Sequence, residues 1–182
     1  MDRRATIGLD SVQRGVVAGI AAAVAFCTGF LAAGYSWLPI PVGPFESAGQ
    51  RLGSAVTADI FVLLWLLVAV GNVANGRFHW PADSPGAGYA PPSSRLAPRA
   101  AILQNTLEQC VLAVGAHLAL AVVLRGDELR LIPLLVALFA IGRAAFWIGY
   151  RGGAPGRAFG FATTFFPTVA SYLLAIWLII SR

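Results

Sequence analysis

Apolar residues in this chain come in long blocks separated by short polar breaks. Five blocks stand out, at residues 15–38, 56–76, 100–124, 129–150 and 158–180. Each holds roughly 20 residues or more, and a rise of about 1.5 Å per residue carries such a block roughly 30 Å, across one hydrocarbon core. Lipid offers no partner to a bare N–H or C=O, so each block is predicted to be a helix. The breaks carry turn chemistry. Pro39, Pro41, Gly43 and Pro44 close the first block. The longest break, residues 77–98, holds Pro81, Pro85, Pro91, Pro92 and Pro98 together with Gly86 and Gly88, and is predicted to be an irregular exposed loop. Arg125 to Glu128 and Gly152 to Gly156 read as tight turns. No internal repeat is found.

Composition agrees with this pattern. Of 182 residues, 58% are hydrophobic and only 12% charged. A soluble domain carries about 25% charge, so a soluble enzyme, a disordered chain and a nucleic-acid-binding domain are excluded. The expected class is an all-α integral membrane protein. All 13 basic residues are arginine, and the net charge is +5. They gather in the breaks. Arg3, Arg4, Arg14, Arg77, Arg95, Arg99, Arg151 and Arg157 fall on the N-terminal side, against Arg51, Arg125, Arg130 and Arg182 on the other. The positive-inside rule then predicts a cytoplasmic N-terminus and an external C-terminus. A lysine-free chain rich in Ala and Gly suggests a GC-rich bacterial genome, and hence a bacterial inner membrane.

The first block begins like a signal peptide but outruns the usual 7–15-residue apolar region, so it is read as a retained spanning helix. Gly19/Ala23 and Gly29/Ala33 stand four residues apart, which suits either close helix packing or a plain Ala-rich helix. Cys27 and Cys110 lie inside apolar blocks and read as small buried residues, not as a disulfide or metal pair.

Charge inside a bilayer is costly, which singles out Asp59, Glu108 and Arg143. Asp59 lies near one end of its block and is expected to be solvated. Glu108 shares a helix face with Asn105 and Gln104, three and four residues away. This polar patch suits either a small polar ligand or hydrogen bonds to neighbouring helices. Arg143, Phe146/Trp147 and Tyr150 form one helical stripe that leads to Arg151 and Arg157. Arg143 has three roles open to it: neutralising Glu108, gripping a ligand carboxylate, or stabilising a thiolate. His117 shares a face with Cys110 and reads as a hydrogen-bonded packing residue, and His79 beside Trp80 as an interface residue. No catalytic triad, zinc motif or phosphate loop is present in the sequence.

The run from Arg99 to Gln109, with Asn105 and Glu108, resembles the second-helix signature of the MAPEG family, membrane-associated proteins in eicosanoid and glutathione metabolism. The run from Gly142 to Arg151, followed by Ala154 to Arg157, resembles that family's third helix and next loop. The likeness covers residues 56–180. The resemblance implies a four-helix left-handed bundle at residues 56–182, with residues 1–55 an added transmembrane helix and loop. It further implies a homotrimer with glutathione bound between subunits near the cytoplasmic face. Asn105, Glu108, Arg143, Tyr150 and Arg151 would then hold glutathione, and Arg157 would stabilise its thiolate.

Two positions depart from the family pattern. Ala101 stands where an arginine is expected, and Phe146 where a tyrosine is expected. Arg99 lies two residues earlier, about 160° round the helix from Ala101.

The resemblance implies a glutathione-dependent transferase or peroxidase acting on lipophilic electrophiles. The two departures favour an alternative, a non-catalytic membrane assembly or binding protein on the same fold. A small proton-coupled transporter built on Glu108 is a third reading, weakened by the closeness of Glu108 to the helix entrance.

Overall fold

The structure is a computed structural model and describes residues 9–40, 43–45 and 47–181. Arg3, Arg4, Pro41 and Arg182 lie outside the described residues. Among the described residues five long helices follow one another: α1 Ser11–Trp37, α2 Ala48–His79, α3 Ala97–Val123, α4 Leu131–Gly149 and α5 Gly153–Ser181. Short 3-10 turns occupy Pro81–Asp83, Gly126–Arg130 and Tyr150–Gly152. Among the described residues there is no strand.

Local chemistry sets the helix ends. Asp10 caps α1 by accepting the Gln13 amide at 2.7 Å, while Gln13 reaches back to the Asp10 N–H at 2.9 Å. Ser47 and Gln50 repeat this reciprocal cap at the start of α2. The second helix runs past the expected end of its apolar block to His79, so Arg77 is helical rather than part of the loop. The loop itself is tied down by Asp83, whose carboxylate accepts the Ser93 N–H at 2.7 Å and its hydroxyl at 2.6 Å.

Phe61, Leu67, Val111, Ile148, Leu173 and Ile179 all face outward and are largely exposed. Water would penalise such a surface and hydrocarbon does not. The chain is an all-α integral membrane protein that crosses the bilayer several times.

Small residues decide how the helices pack. The α4–α5 hairpin closes on glycines: a methyl on Gly160 would overlap the backbone of Phe146, and one on Gly142 would stand 2.6 Å from the Thr164 methyl carbon. Gly153 opens α5 at φ +68°, a conformation that favours glycine. The added helix α1 docks on α5 through Gly15, against Pro155, and Gly19, against Ala158, with Ala23 fully buried behind them. Gly19/Ala23 is therefore a packing pair. Gly29 is not: it faces open space, because it lies on the outer face of α1.

A second contact ties α1 to α5. Pro167 lies inside α5 and has no N–H, so the carbonyl of Thr163 loses its helical donor. The Cys27 thiol of α1 donates to that carbonyl at 3.8 Å.

Candidate functional site

α1 and α5 begin, α3 begins, and α2 and α4 finish at one end of the bundle, and among the cavities there two hold the residues singled out from the sequence. The first has a volume of about 440 Å³. Asn105 and Ala101 of α3 line it, with Phe146, Tyr150, and Arg157 and Phe161 of α5. Val16 and Ile20 of α1 form one wall. The second cavity, of about 500 Å³, is lined by Asn72, Trp80, Arg95, Arg99, Trp147, Tyr150 and Arg151, among others. Tyr150 stands between the two.

Arg143 is the largest fully buried side chain. Its Nη1 donates to Asn105 Oδ1 at 2.9 Å and its Nη2 to Thr164 Oγ1 at 2.7 Å. The Thr164 hydroxyl itself donates to the Phe161 carbonyl at 2.9 Å, which leaves a lone pair for the guanidinium. The guanidinium carbon lies 4.6 Å from the Phe146 ring centroid, and Phe146 meets the Tyr150 ring at 5.5 Å. Arg157 completes the line 5.1 Å from Tyr150. The predicted stripe from Arg143 to Tyr150 is thus a continuous run of contacts ending at Arg157.

A pairing of Arg143 with Glu108 does not occur. Glu108 is exposed on the outer face of α3, where it accepts a hydrogen bond from Gln104 at 2.9 Å. Arg143 reaches α3 at Asn105 instead, whose amide oxygen takes the place a carboxylate was expected to fill. Among the described residues no carboxylate pairs with Arg143, and its Nε has no hydrogen-bond partner. A buried cation satisfied only by neutral oxygens and aromatic faces leaves positive potential at the cavity wall. With its oxygen committed to Arg143, Asn105 still has amide N–H groups to offer.

The remaining expected residues are placed differently. Arg151 is exposed and lines the second cavity, apart from Asn105 and Arg157. Arg99 also points there, donating to the Asn72 carbonyl at 3.1 Å and stacking 4.5 Å above Trp80. It is therefore no substitute for the arginine missing at Ala101, which lines the first cavity.

Asp59 is not solvated. Only 2% of it is exposed, and its Oδ1 lies 2.6 Å from Nδ1 of His117, also buried. α2 starts at Ala48, so Asp59 sits three turns inside it rather than at its end. Hydrogen bonding of His117 follows the expectation, but its partner was missed. The available signal was one acid and one imidazole on neighbouring apolar helices.

Comparison with known proteins matches the chain to the MAPEG family over residues 52–177. It is 24% identical to Transmembrane protein 79 of Mus musculus over 88% of its own length and 40% of that protein's. It is likewise 24% identical to Transmembrane protein 79 of Bos taurus, over 86% of this chain and 39% of the relative. The chain therefore spans about two fifths of the length of these curated relatives. No solved structure matches it significantly. The matched range takes in Asn105, Arg143, Tyr150 and Arg157 and leaves α1 outside. By this match, and by the helices and motif residues it covers, the chain belongs to the MAPEG family.

Proposed function

We propose that the first cavity binds glutathione and activates its thiol for transfer to a lipophilic electrophile or for reduction of a peroxide. One observation carries this reading: among the described residues no carboxylate pairs with the buried Arg143, whose charge reaches, through Asn105, a cavity that also holds Tyr150 and Arg157. A small anionic peptide fits that potential and a volume of about 440 Å³. Asn105 offers amide donors to a ligand carboxylate, and Tyr150 a phenol. Arg157, half-buried over the Tyr150 ring, favours the thiolate over the thiol by charge. That thiolate attacks an electrophilic carbon, forms the S–C bond and expels the leaving group with its electron pair. Val16, Ile20 and Phe161 make the cavity apolar on the side where a bilayer-borne substrate enters. Glu108 faces outward in the single chain, which suits a site completed by a second copy in a homotrimer, and Glu108 and Arg151 are assigned to that shared boundary.

The arginine distribution supports a cytoplasmic location for the cavity end and for the N-terminus, and the lysine-free, Ala- and Gly-rich composition supports a bacterial inner membrane. Residues 1–55 are read as an added unit and 56–182 as the family bundle.

A second reading, binding without chemistry, is favoured by Ala101 and Phe146. Both line the cavity and neither offers a polar atom beyond the backbone.

The test is titration of the detergent-purified protein with glutathione, following thiolate absorbance and conjugation of an aromatic electrophile. Binding with turnover that falls about tenfold to a hundredfold in Arg157→Ala supports the catalytic reading. Binding with neither thiolate nor turnover selects the second reading. No binding by the wild-type protein overturns both.

A further inference from the structure

The second cavity has a different chemistry. Arg95, Arg99 and Arg151 line it, no acidic residue among the described residues does, and Trp80, Trp147 and Tyr150 supply aromatic walls. Arg99 is fixed by the Asn72 carbonyl and the Trp80 ring. Arg95 and Arg151 are exposed, and neither forms an ion pair among the described residues. Like charges converging on one cavity repel each other unless an anion lies between them. Guanidinium forks match the oxygens of phosphate in geometry as well as charge.

Location narrows the ligand further. The cavity lies where α2 ends at His79, α3 begins at Ala97 and α4 ends at Gly149. That is one end of the spanning bundle, and Trp and Tyr rings prefer the headgroup level. Pro98, Ile102 and the two indoles give the cavity an apolar floor of a few residues.

We propose that this cavity binds the phosphate of an anionic phosphoester, with Arg95 and Arg151 meeting the phosphate and Arg99 holding the wall behind it. The chemistry has two sources, a phospholipid headgroup and a soluble phosphoester. The cavity shares Tyr150 with the first cavity, and Arg151 is also the residue assigned above to the boundary with a second copy, but phosphate binding is read without glutathione and does not rest on that reading.

The experiment uses the full chain in zwitterionic detergent micelles. Phosphatidylglycerol, phosphatidylcholine and soluble glycerol 3-phosphate are titrated in turn. Tryptophan emission is followed, and bound lipid is counted by native mass spectrometry. Tighter binding of phosphatidylglycerol than of phosphatidylcholine, weakened roughly thirtyfold in Arg95→Gln/Arg151→Gln, supports the headgroup source. Saturable binding of glycerol 3-phosphate with the same loss in the double variant supports the soluble source. Both substituted side chains are exposed, so the variant retains its fold. Arg125→Gln, which removes a charge at the opposite end, serves as control. Equal retention of the two lipids without glycerol 3-phosphate binding overturns the proposal. So does an equal loss of binding in Arg125→Gln.

Discussion

Asp59 of α2 and His117 of α3 meet side chain to side chain at 2.6 Å inside the bundle, 58 positions apart in the chain. Neither side chain has appreciable contact with solvent. A hydrogen bond in such surroundings is worth more than its surface counterpart, and either partner alone is a buried orphan. His117→Ala is expected to destabilise the protein by about 2 kcal/mol. Asp59→Asn keeps an acceptor and costs less. Thermal unfolding in detergent, run as a double-mutant cycle, checks this, and additive single losses would refute the coupling.

The Cys27 thiol has a definite structural role. It donates to the Thr163 carbonyl that Pro167 leaves without a helical partner. Cys27→Ala is expected to cost about 1 kcal/mol. In a Pro167→Ala background the helix supplies its own donor, and the same substitution is then expected to cost much less. Equal cost in the two backgrounds rules out this role and leaves Cys27 as packing alone.

Much of this architecture is legible in the sequence, for a physical reason. Hydrocarbon thickness fixes the length of each apolar block, so all five helices are found and most of their ends fall close to the block ends, although α2 begins at Ala48 rather than at residue 56. Spacing within a helix is equally dependable, and Arg143, Phe146 and Tyr150 do form one stripe. Contacts between helices are another matter. Asn105 and Glu108 are about 60° apart round α3, and that rotation decides which of them meets Arg143. The Asp59–His117 contact depends on how α2 and α3 are set against each other by the loop between them. No periodicity within either helix encodes that register. Ala101 and Arg99 illustrate the same limit, since two residues separate one cavity from the other.

Glycine positions that look alike in sequence are expected to respond oppositely. A Cβ on Gly160 meets the Phe146 backbone, which cannot move without parting α4 from α5. Gly160→Ala is expected to abolish folding or to cost more than about 3 kcal/mol. Gly29 meets nothing within 4 Å and has an ordinary helical conformation. Gly29→Ala is expected to stabilise by about 0.5–1 kcal/mol through helix propensity and a less flexible unfolded chain. Expression level and thermal unfolding of the two variants distinguish these outcomes.

Acid is expected to loosen the α2–α3 loop before it affects the helices. Hydrogen bonds from the Ser93 hydroxyl, and then from its N–H, hold the Asp83 carboxyl below its ordinary value of 3.8, outweighing the opposing effect of burial. A lowered carboxyl pKa in the folded state means that the unfolded loop binds the proton more readily. The stabilisation is therefore complete above the unfolded value and is lost as pH falls through the folded one. Hydrogen exchange at the Ser93 amide should remain protected at pH 5 and lose its protection progressively below about pH 4. Asp83→Asn removes the titrating group, so its loop should show the same protection at both pH values. If the wild-type and variant loops responded alike to acid, the titration would have to reside on another group.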